Sequence, residues 1–305
     1  MTDRLPKIIA TSVVRGSRQG ESHGGVYLVD FEKQKVAQHV DLSVGKTVFE
    51  GHGGDRGLRG IAFSGNDILI AASDELFCCG RSFKIRTSNK NRYLKNCHEI
   101  CRMDRSIFLT STEFDSLLAF DLDKKQFVWG FHLQRQYDRW TGHTFDPRSD
   151  MGPRPVNKYH INMVHADSTG IYLSGLHTNA LLHLSSKMEV TEICSLPTGV
   201  HNARPYRDGL LFNDTASDCV RYVHANGHNQ TFKIVTYDEI DDSNVARQGF
   251  GRGLCPASER YVAGGSSPST ISLYDLEADQ MVGSVNLTMD VRNTIHGLEP
   301  WPYEE

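Results

Sequence analysis

The sequence predicts an all-β fold, a six-bladed β-propeller whose C-terminal inner strand pairs with the N-terminal strands. Two observations support this prediction. One pattern of four short strands can be read six times along the 305 residues, and the sixth copy is split between the two ends of the chain. Repeats of about 40–50 residues are typical of propeller blades. We therefore expect residues 1–305 to form a single β-propeller domain.

The second half of each copy is a hairpin. An alternating apolar run, a short polar turn and a second alternating run predict two antiparallel strands, each buried on one face. One of these turns contains Asn226-Gly227, which favours a tight hairpin. The six hairpins begin at Gly25, Glu75, Ser116, Asn179, Cys219 and Thr270, and the copy at Glu75 fits the pattern least well.

Two more short strands precede five of the hairpins and form the inner half of each blade. The innermost strands open at Arg59, His98, His160, His201, Arg252 and His296. No further strand follows the one at His296, but an unpaired strand at Ile8 precedes the first hairpin. Pairing these two strands closes the ring and removes open sheet edges. A two-sheet sandwich or a jelly roll would not explain a repeat that stays in step with this closure.

One interval in the repeat is long. The starts His98 and His160 lie 62 residues apart, which predicts an insertion at residues 134–158. The segment is rich in Arg, Asp, Pro and aromatic residues and has little periodicity. Long irregular segments in compact domains are usually functional. We interpret it as a lid or as a loop that binds a partner.

Composition excludes some classes of function. The formal net charge is -4 without a clustered basic face, so we expect no nucleic-acid partner. No apolar run is long enough for a membrane helix, and we expect no membrane partner. The start resembles no signal peptide. The seven cysteines lack the spacing of a disulfide framework or a zinc site, which favours reduced thiols and a cytoplasmic protein.

The six residues that open the inner strands, which we call the His/Arg ring, are all His or Arg. Four of the 14 histidines of the chain occupy these six positions: His98, His160, His201 and His296. Imidazoles that converge from separate strands suit iron, manganese, copper or zinc, and leave coordination positions open for a substrate. We predict a divalent transition metal on these four histidines. Arg59 and Arg252 would bind a carboxylate or phosphate beside it.

Other residues are second candidates for the same site. Glu99, Glu299 and Tyr206 are assigned as catalytic candidates, the two glutamates because they follow ring histidines and could orient them. Candidate substrate contacts are Arg204, beside the fourth inner strand; His177, in a turn after a second strand; and Arg139 and Trp140, in the insertion. Asp115, in another such turn, is interpreted as a turn-forming residue.

The blade pattern resembles the six-bladed lactonase and strictosidine-synthase-like propellers over nearly the whole chain. Those lactonases hold calcium or another divalent ion with Glu, Asn and Asp, where this chain has the ring histidines. The ring itself resembles propellers with a transition metal on the axis. Carotenoid cleavage oxygenases use four His with iron, and oligogalacturonate lyases use His and Gln with manganese, both on seven blades. This resemblance implies histidine ligation of a metal.

The predicted function is a metal-dependent enzyme that acts on a small anionic substrate at the mouth of the channel. Lyase, hydrolase and oxygenase remain open, with a lyase on an acidic substrate or an iron oxygenase as leading cases. Two alternatives stand beside it. In the first, the ring is a non-catalytic anion pocket or a structural plug. In the second, the propeller is a scaffold that binds proteins on its rim. The sequence does not indicate an oligomeric state.

Overall fold

A computed structural model describes residues 4–18, 20–42 and 57–303. In chain order its strands are β1 (Lys7–Val14), β2 (Gly25–Asp30), β3 (Lys35–Asp41), β4 (Ile61–Ser64), β5 (Asp67–Ala71), β6 (Glu75–Cys79), β7 (Ile85–Lys90), β8 (Ile100–Met103), β9 (Ser106–Ser111), β10 (Ser116–Asp121), β11 (Gln126–Gln136), β12 (Arg139–Phe145), β13 (Ile161–Asp167), β14 (Gly170–Gly175), β15 (Ala180–Leu184), β16 (Val190–Ser195), β17 (His201–Tyr206), β18 (Gly209–Asp214), β19 (Cys219–His224), β20 (Asn229–Lys233), β21 (Leu254–Pro256), β22 (Tyr261–Ser266), β23 (Thr270–Asp275), β24 (Gln280–Asn286) and β25 (Asn293–Pro300). A short 3-10 helix spans Thr112–Phe114.

These strands form six antiparallel sheets, which confirms the six-bladed β-propeller. Blade 1 contains β4–β7, blade 2 β8–β12, blade 3 β13–β16, blade 4 β17–β20 and blade 5 β21–β24, and the closing blade has the order β25-β1-β2-β3. The inner strands are therefore β4, β8, β13, β17, β21 and β25. The predicted hairpins are present in all six blades.

The closing blade joins the two ends of the chain as predicted. β25 pairs with β1 from Ile8↔Pro300 to Val14↔Asn293, with one irregularity between Thr11 and Ser12. The backbone N–H of Trp301 continues this contact by donating to Lys7 O over 2.8 Å. The closing blade therefore has no missing inner strand, and the sheet is complete from the channel outward.

The insertion differs from the irregular segment that the sequence suggested. Its first part extends β11 and returns as β12, in register from Gln136↔Arg139 to Gly130↔Phe145. The two residues of the turn between them, Tyr137 and Asp138, have positive φ of 47° and 62°, the backbone of a tight hairpin turn. Blade 2 therefore has a fifth, outermost strand. Only the part after Phe145 lacks strands, and it leads into β13.

The hydrophobic core lies between neighbouring blades. One cluster joins Leu117 and Phe131 of blade 2 to Ile171 and Leu182 of blade 3, for example. Alternating side chains of each sheet are buried on the next sheet, as the period-two pattern predicts. All seven cysteines are free. Within the described ranges, the structure contains no helix with the length and hydropathy of a transmembrane span.

Candidate functional site

The His/Arg ring lies where the chain enters the inner strands. His201 opens β17 and His296 lies within β25, whereas Arg59, His98, His160 and Arg252 lie one or two residues before their strands. The inner strands approach closely there. A Cβ on Gly297 would lie 2.2 Å from Arg59 O, and a Cβ on Gly60 would lie 2.5 Å from Ile100 N. Glycine after a ring residue thus lets adjacent inner strands bring the ring side chains together.

The structure brings three of the ring histidines into direct contact. The ring centroid of His98 lies 5.2 Å from that of His160 and 6.0 Å from that of His296. His201 packs edge-on against Phe250, with the centroids 5.4 Å apart. It also interacts electrostatically with His98 and His160. Three of the four imidazoles therefore lie within ring-contact distance of one another through His98, and His201 is coupled to them electrostatically.

Hydrogen bonds fix the tautomer of three imidazoles. His98 Nδ1 lies 2.7 Å from Asn96 O, and His201 Nδ1 lies 3.1 Å from Gly199 O. A backbone carbonyl can only accept, so each Nδ1 carries the proton and each Nε2 carries the lone pair. His160 Nδ1 lies 3.0 Å from Asn157 Oδ1, the amide oxygen, which fixes the same tautomer.

The Nε2 atoms have different surroundings. Among the described residues, Nε2 of His160 and Nε2 of His201 are buried without a hydrogen-bond partner. Nε2 of His296 accepts from Nη1 of Arg252 over 3.2 Å. A buried polar atom without a partner costs about 1–3 kcal/mol, and such atoms in a folded protein call for a functional or ligand-based explanation.

Burial and nearby guanidiniums keep the imidazoles neutral. Burial lowers the pKa of His160 to about 4, and Arg252 adds to this effect. Burial is also the main cause that lowers the pKa of His98, His201 and His296 well below the ordinary value. The guanidinium of Arg252 lowers all three pKa values further, Arg59 acts on His98 and His296, and Arg15 acts on His201. At neutral pH the ring therefore combines uncharged imidazoles with positive guanidiniums.

The arginines are held close to the imidazoles. Arg59 is only 1% exposed, and its Nη1 donates to Cys97 O over 2.9 Å. The guanidinium of Arg252 lies 5.0 Å from the centroid of Phe250, and that of Arg15 lies 4.6 Å from it. Arg15, in the connection after β1, was not among the sequence-based candidates. The sequence did not reveal it because it lies outside the inner strands.

The geometry does not form a closed metal shell. No group of three or more His, Cys, Asp or Glu side chains in the described ranges is arranged to hold a metal ion. Nε2 of His160 and Nε2 of His201 have no hydrogen-bond partner among the described residues, whereas Nε2 of His296 accepts from Arg252. The four-histidine metal centre therefore stays a prediction.

Two positioning features of the ring were missed. A Ser or Thr lies 14 residues after each of the first five ring residues: Ser73, Thr112, Ser174, Thr215 and Ser266. Two of these hydroxyls contact the ring histidine that precedes them in the sequence. Thr112 Oγ1 lies 2.9 Å from His98 Nδ1, and Thr215 Oγ1 lies 2.8 Å from His201 Nδ1. This constant spacing, readable from the sequence, is the signal that would have identified them.

Asp115 does more than form a turn. Its carboxylate accepts from the backbone N–H groups of Tyr159 and His160 over 3.0 and 2.9 Å. This contact fixes the chain where it enters β13 and holds His160, whose φ is +54°, in the left-handed region. Asp115 is therefore a positioning residue for His160.

The predicted catalytic glutamates do not contact the ring histidines through hydrogen bonds. Glu99 Oε1 accepts from Ile100 N, and its Oε2 accepts from Nδ2 of Asn202 over 3.0 Å. Glu299 lies three residues after His296, roughly 10 Å further along the strand. Both line a separate cavity together with Arg204. Alternation along the strand explains this, because neighbouring residues point to opposite faces.

The remaining candidates lie at different distances from the ring. His177 interacts electrostatically with His160 and is exposed. Tyr206 ends β17, roughly 16 Å along the strand from His201, and packs against Tyr222. Arg139 and Trp140 belong to β12, the strand of blade 2 farthest from the channel. Trp140 is buried against Tyr159, with the centroids 5.0 Å apart, and Arg139 is exposed.

Comparisons with known proteins agree with the fold. A chain of a nidogen/laminin complex superposes with a TM-score of 0.61 at 9% identity, over 96% of this chain and 97% of that chain. A protein of unknown function from Bacteroides caccae gives a TM-score of 0.60 at 10% identity, over 98% and 100%. The C-terminal WD40 domain of Sif2 gives 0.50 at 9% identity, over 99% and 89%. At these identities the likeness shows the propeller fold alone.

Sequence comparisons add no family. No protein-family model matches the chain. A search of curated proteins finds no significant match.

Proposed function

We propose that the mouth of the channel is the active site of an enzyme for a small anionic substrate, in which a neutral imidazole takes a proton from the substrate. One observation carries this proposal: the buried Nε2 lone pair of His160 lies among guanidiniums, with its Nδ1 fixed by Asn157. A lone pair of fixed direction suits a general base, and a guanidinium suits a carboxylate or phosphate.

The reaction class that fits best is a lyase on an acidic substrate. Arg252 and Arg59 would bind the carboxylate, and His160 Nε2 would accept the proton from the adjacent carbon. The electron pair of that C–H bond forms a double bond as the leaving group departs from the next carbon, and the histidinium returns the proton to the leaving group. The guanidiniums stabilise the negative charge that develops on the carboxylate.

The low pKa of His160 is consistent with this role. In the free protein, burial and Arg252 hold its pKa near 4. A bound carboxylate brings a negative charge to the same mouth and offsets the guanidiniums, so the pKa of His160 rises when substrate is present. The imidazole is then neutral before binding and basic enough to take a proton after binding.

A metal-dependent enzyme is the second candidate, favoured by the two buried Nε2 atoms that lack hydrogen-bond partners. Iron, manganese, copper or zinc bound to Nε2 of His98, His160 and His201 would satisfy them, and would act as a Lewis acid or oxygen-activating centre. His296 would join as the fourth ligand only after its hydrogen bond to Arg252 breaks.

Two measurements test the first candidate. Galacturonate, tartrate and inorganic phosphate are added to metal-free protein, and we expect at least one to raise the thermal midpoint through binding to the folded state. The replacement Arg252→Gln should abolish the shift, whereas Arg105→Gln, at an exposed position in the turn between β8 and β9, should keep it. No shift with any of the anions, or an equal shift in Arg252→Gln, would contradict the anion site.

Proton transfer is tested separately. In heavy water, NMR should detect exchange of the proton next to the carboxylate of the bound acid with wild-type protein. His160→Gln should lose this exchange and keep the thermal shift. Elemental analysis of the purified protein tests the second candidate. Stoichiometric metal that is lost in a folded His160→Ala/His201→Ala double variant would support the metal-dependent enzyme over the first candidate.

A further inference from the structure

Three guanidinium groups lie close to one phenyl ring at the edge of the His/Arg ring. The Cζ atoms of Arg15, Arg252 and Arg247 lie 4.6, 5.0 and 5.4 Å from the ring centroid of Phe250. The same phenyl ring packs edge-on against His201, with the centroids 5.4 Å apart. Guanidiniums are attracted to the face of an aromatic ring. We call Phe250 and these three arginines the Phe250 cluster.

The backbone holds the Phe250 cluster in place. Phe250 lies between two glycines in the connection that leads into β21. On one side of it, the N–H of Gly249 donates to Ser267 O over 2.9 Å. On the other side, the N–H of Arg252 donates to Gly265 O over 2.9 Å. The aromatic ring is therefore presented by a segment that is fixed at both ends.

Arg247 is the structural member of the cluster. Its Nη1 donates to Oδ1 of Asp218 over 2.7 Å, so a carboxylate balances its charge. Its Nη2 donates to Thr215 O. The hydroxyl of Thr215 contacts Nδ1 of His201, so Arg247 supports a residue that positions an imidazole. We assign Arg247 to the support of the ring and not to a substrate.

Arg15 and Arg252 lie on the side of the imidazoles. Nη1 of Arg252 lies 3.2 Å from Nε2 of His296. Arg15 interacts electrostatically with His201 and with His296. The Phe250 cluster therefore places the guanidinium of Arg15 at the same mouth as Arg252.

The guanidiniums act on different parts of the ring. Arg59 interacts electrostatically with His98, Arg15 interacts with His201, and Arg252 interacts with both imidazoles. The Cζ atoms of Arg15 and Arg252 are at most about 10 Å apart, because both lie near the same ring centroid. Positive charge thus extends across the mouth over a distance that a short chain with a carboxylate at each end can span.

We propose that the substrate is a dicarboxylate, and that Arg15 and Phe250 determine this specificity. The inference rests on the proposed function, in which Arg59 and Arg252 bind the carboxylate next to the proton that is removed. The second carboxylate would accept from the guanidinium of Arg15, whose planar shape suits two parallel hydrogen bonds. Contact with Phe250 holds this guanidinium in one orientation, so that less freedom is lost when the substrate binds.

Calorimetric titration of the full chain tests the specificity. Malate and 3-hydroxyglutarate carry two carboxylates, and 3-hydroxybutyrate is their analogue with one carboxylate. At neutral pH and equal ionic strength, we expect one or both dicarboxylates to bind at least tenfold more tightly than 3-hydroxybutyrate. The second carboxylate adds a charge-assisted hydrogen bond, which accounts for a difference of this size.

Substitutions assign the preference to the Phe250 cluster. Arg15→Gln should lower the affinity for the dicarboxylates to that for 3-hydroxybutyrate, and should change the affinity for 3-hydroxybutyrate less than about threefold. Arg18→Gln, at an exposed position in the same connection, should keep the full preference. If Arg15→Gln fails to fold, Phe250→Leu provides the test. It keeps an apolar side chain but removes the aromatic face, and should reduce the preference.

The outcomes separate this inference from the proposed function. If 3-hydroxybutyrate binds and neither dicarboxylate binds more tightly, or if a folded Arg15→Gln variant keeps the full preference, the dicarboxylate specificity is wrong and the anion site remains. If none of the three acids binds at millimolar concentration, or if Arg252→Gln binds them as the wild type does, the proposed active site is wrong, and this inference is wrong with it.

Discussion

At the scale of single residues, the channel combines two kinds of titrating group with opposite effects on stability. The ring imidazoles are neutral when folded and have an ordinary pKa near 6.5 when unfolded, so the unfolded chain binds more protons and stability is lost as the pH falls below about 6.5. Glu99 and Glu299 have a folded pKa of about 7. Their contribution is present below about pH 4.3 and is lost as the pH rises through 7.

The replacement Glu299→Gln should separate these effects. At pH 8.5 the wild-type protein must ionise a buried carboxyl group that the variant lacks, so we expect the variant to be more stable by about 1–3 kcal/mol. Near pH 3.5, below the ordinary glutamate pKa of about 4.3, the carboxyl is mostly protonated in both states, so the two proteins should have similar stability. Urea unfolding at both pH values measures this, with Glu192→Gln as the exposed control. A variant that is less stable at pH 8.5 would contradict the assigned pKa.

At the scale of elements, the fifth strand of blade 2 connects the insertion to the ring. β12 carries Trp140, which is 9% exposed and packs on Tyr159, the residue before His160. The carboxylate of Asp115 accepts hydrogen bonds from the backbone N–H groups of Tyr159 and His160. The outermost strand of the blade therefore supports the backbone on which a ring imidazole stands, although its own side chains lie far from the channel.

Truncation of this contact should destabilise the fold. For Trp140→Ala we expect a loss of about 3–5 kcal/mol, the usual cost of removing a buried aromatic ring, measured by urea unfolding. Tyr137→Ala, in the neighbouring turn where the side chain is 97% exposed, should change stability by less than about 0.5 kcal/mol. Similar effects of the two substitutions would show that Trp140 does not support the core.

The strands that the sequence predicted and those it did not differ in their packing. Strands buried at the blade interfaces, such as β5 and β9, have the short apolar run that identified them. β12 is an outer strand whose inward positions include Trp140 and Gly142. A Cβ on Gly142 would lie 2.4 Å from His132 O, so close packing replaces a hydrophobic side chain with glycine and weakens the pattern.

The sequence identified the ring residues of the candidate site but not the residues that position them. Equivalent positions in a repeat identified the ring, and their convergence follows from the propeller geometry. The partners of each imidazole were not predictable in this way, because Asn157 and Asp115 act through turns whose shape depends on backbone angles. Glu299 was assigned to the ring by its closeness in sequence to His296, whereas three residues of extended strand carry it into the separate cavity that Glu99 and Arg204 also line.

At the scale of the whole molecule, stability depends on closing the ring. β25 is the inner strand of the closing blade, and its Ile295 and Leu298 are 0% and 3% exposed. Without it, β1 would present an unpaired edge to the channel, and the neighbouring blades would lose a packing surface. It also carries His296 and Glu299, so one strand contributes both to the ring and to the cavity lined by Glu99 and Arg204.

Deletion of residues 292–305 should therefore abolish cooperative unfolding, because it removes a complete inner strand, whereas a circular permutant should keep it. The permutant joins the ends of the chain through a short Gly/Ser linker and begins at Gly227, in the exposed turn between β19 and β20. Every strand then remains intact. The hydrogen bond between Trp301 and Lys7 shows that the start of β1 and the end of β25 lie close together, so a short linker can join them. Circular dichroism during heating would compare both proteins with the wild type. If the deletion variant unfolded in the same single transition as the wild type, ring closure would not determine stability. If the permutant alone failed to fold, the order of the strands along the chain would matter as well as their pairing.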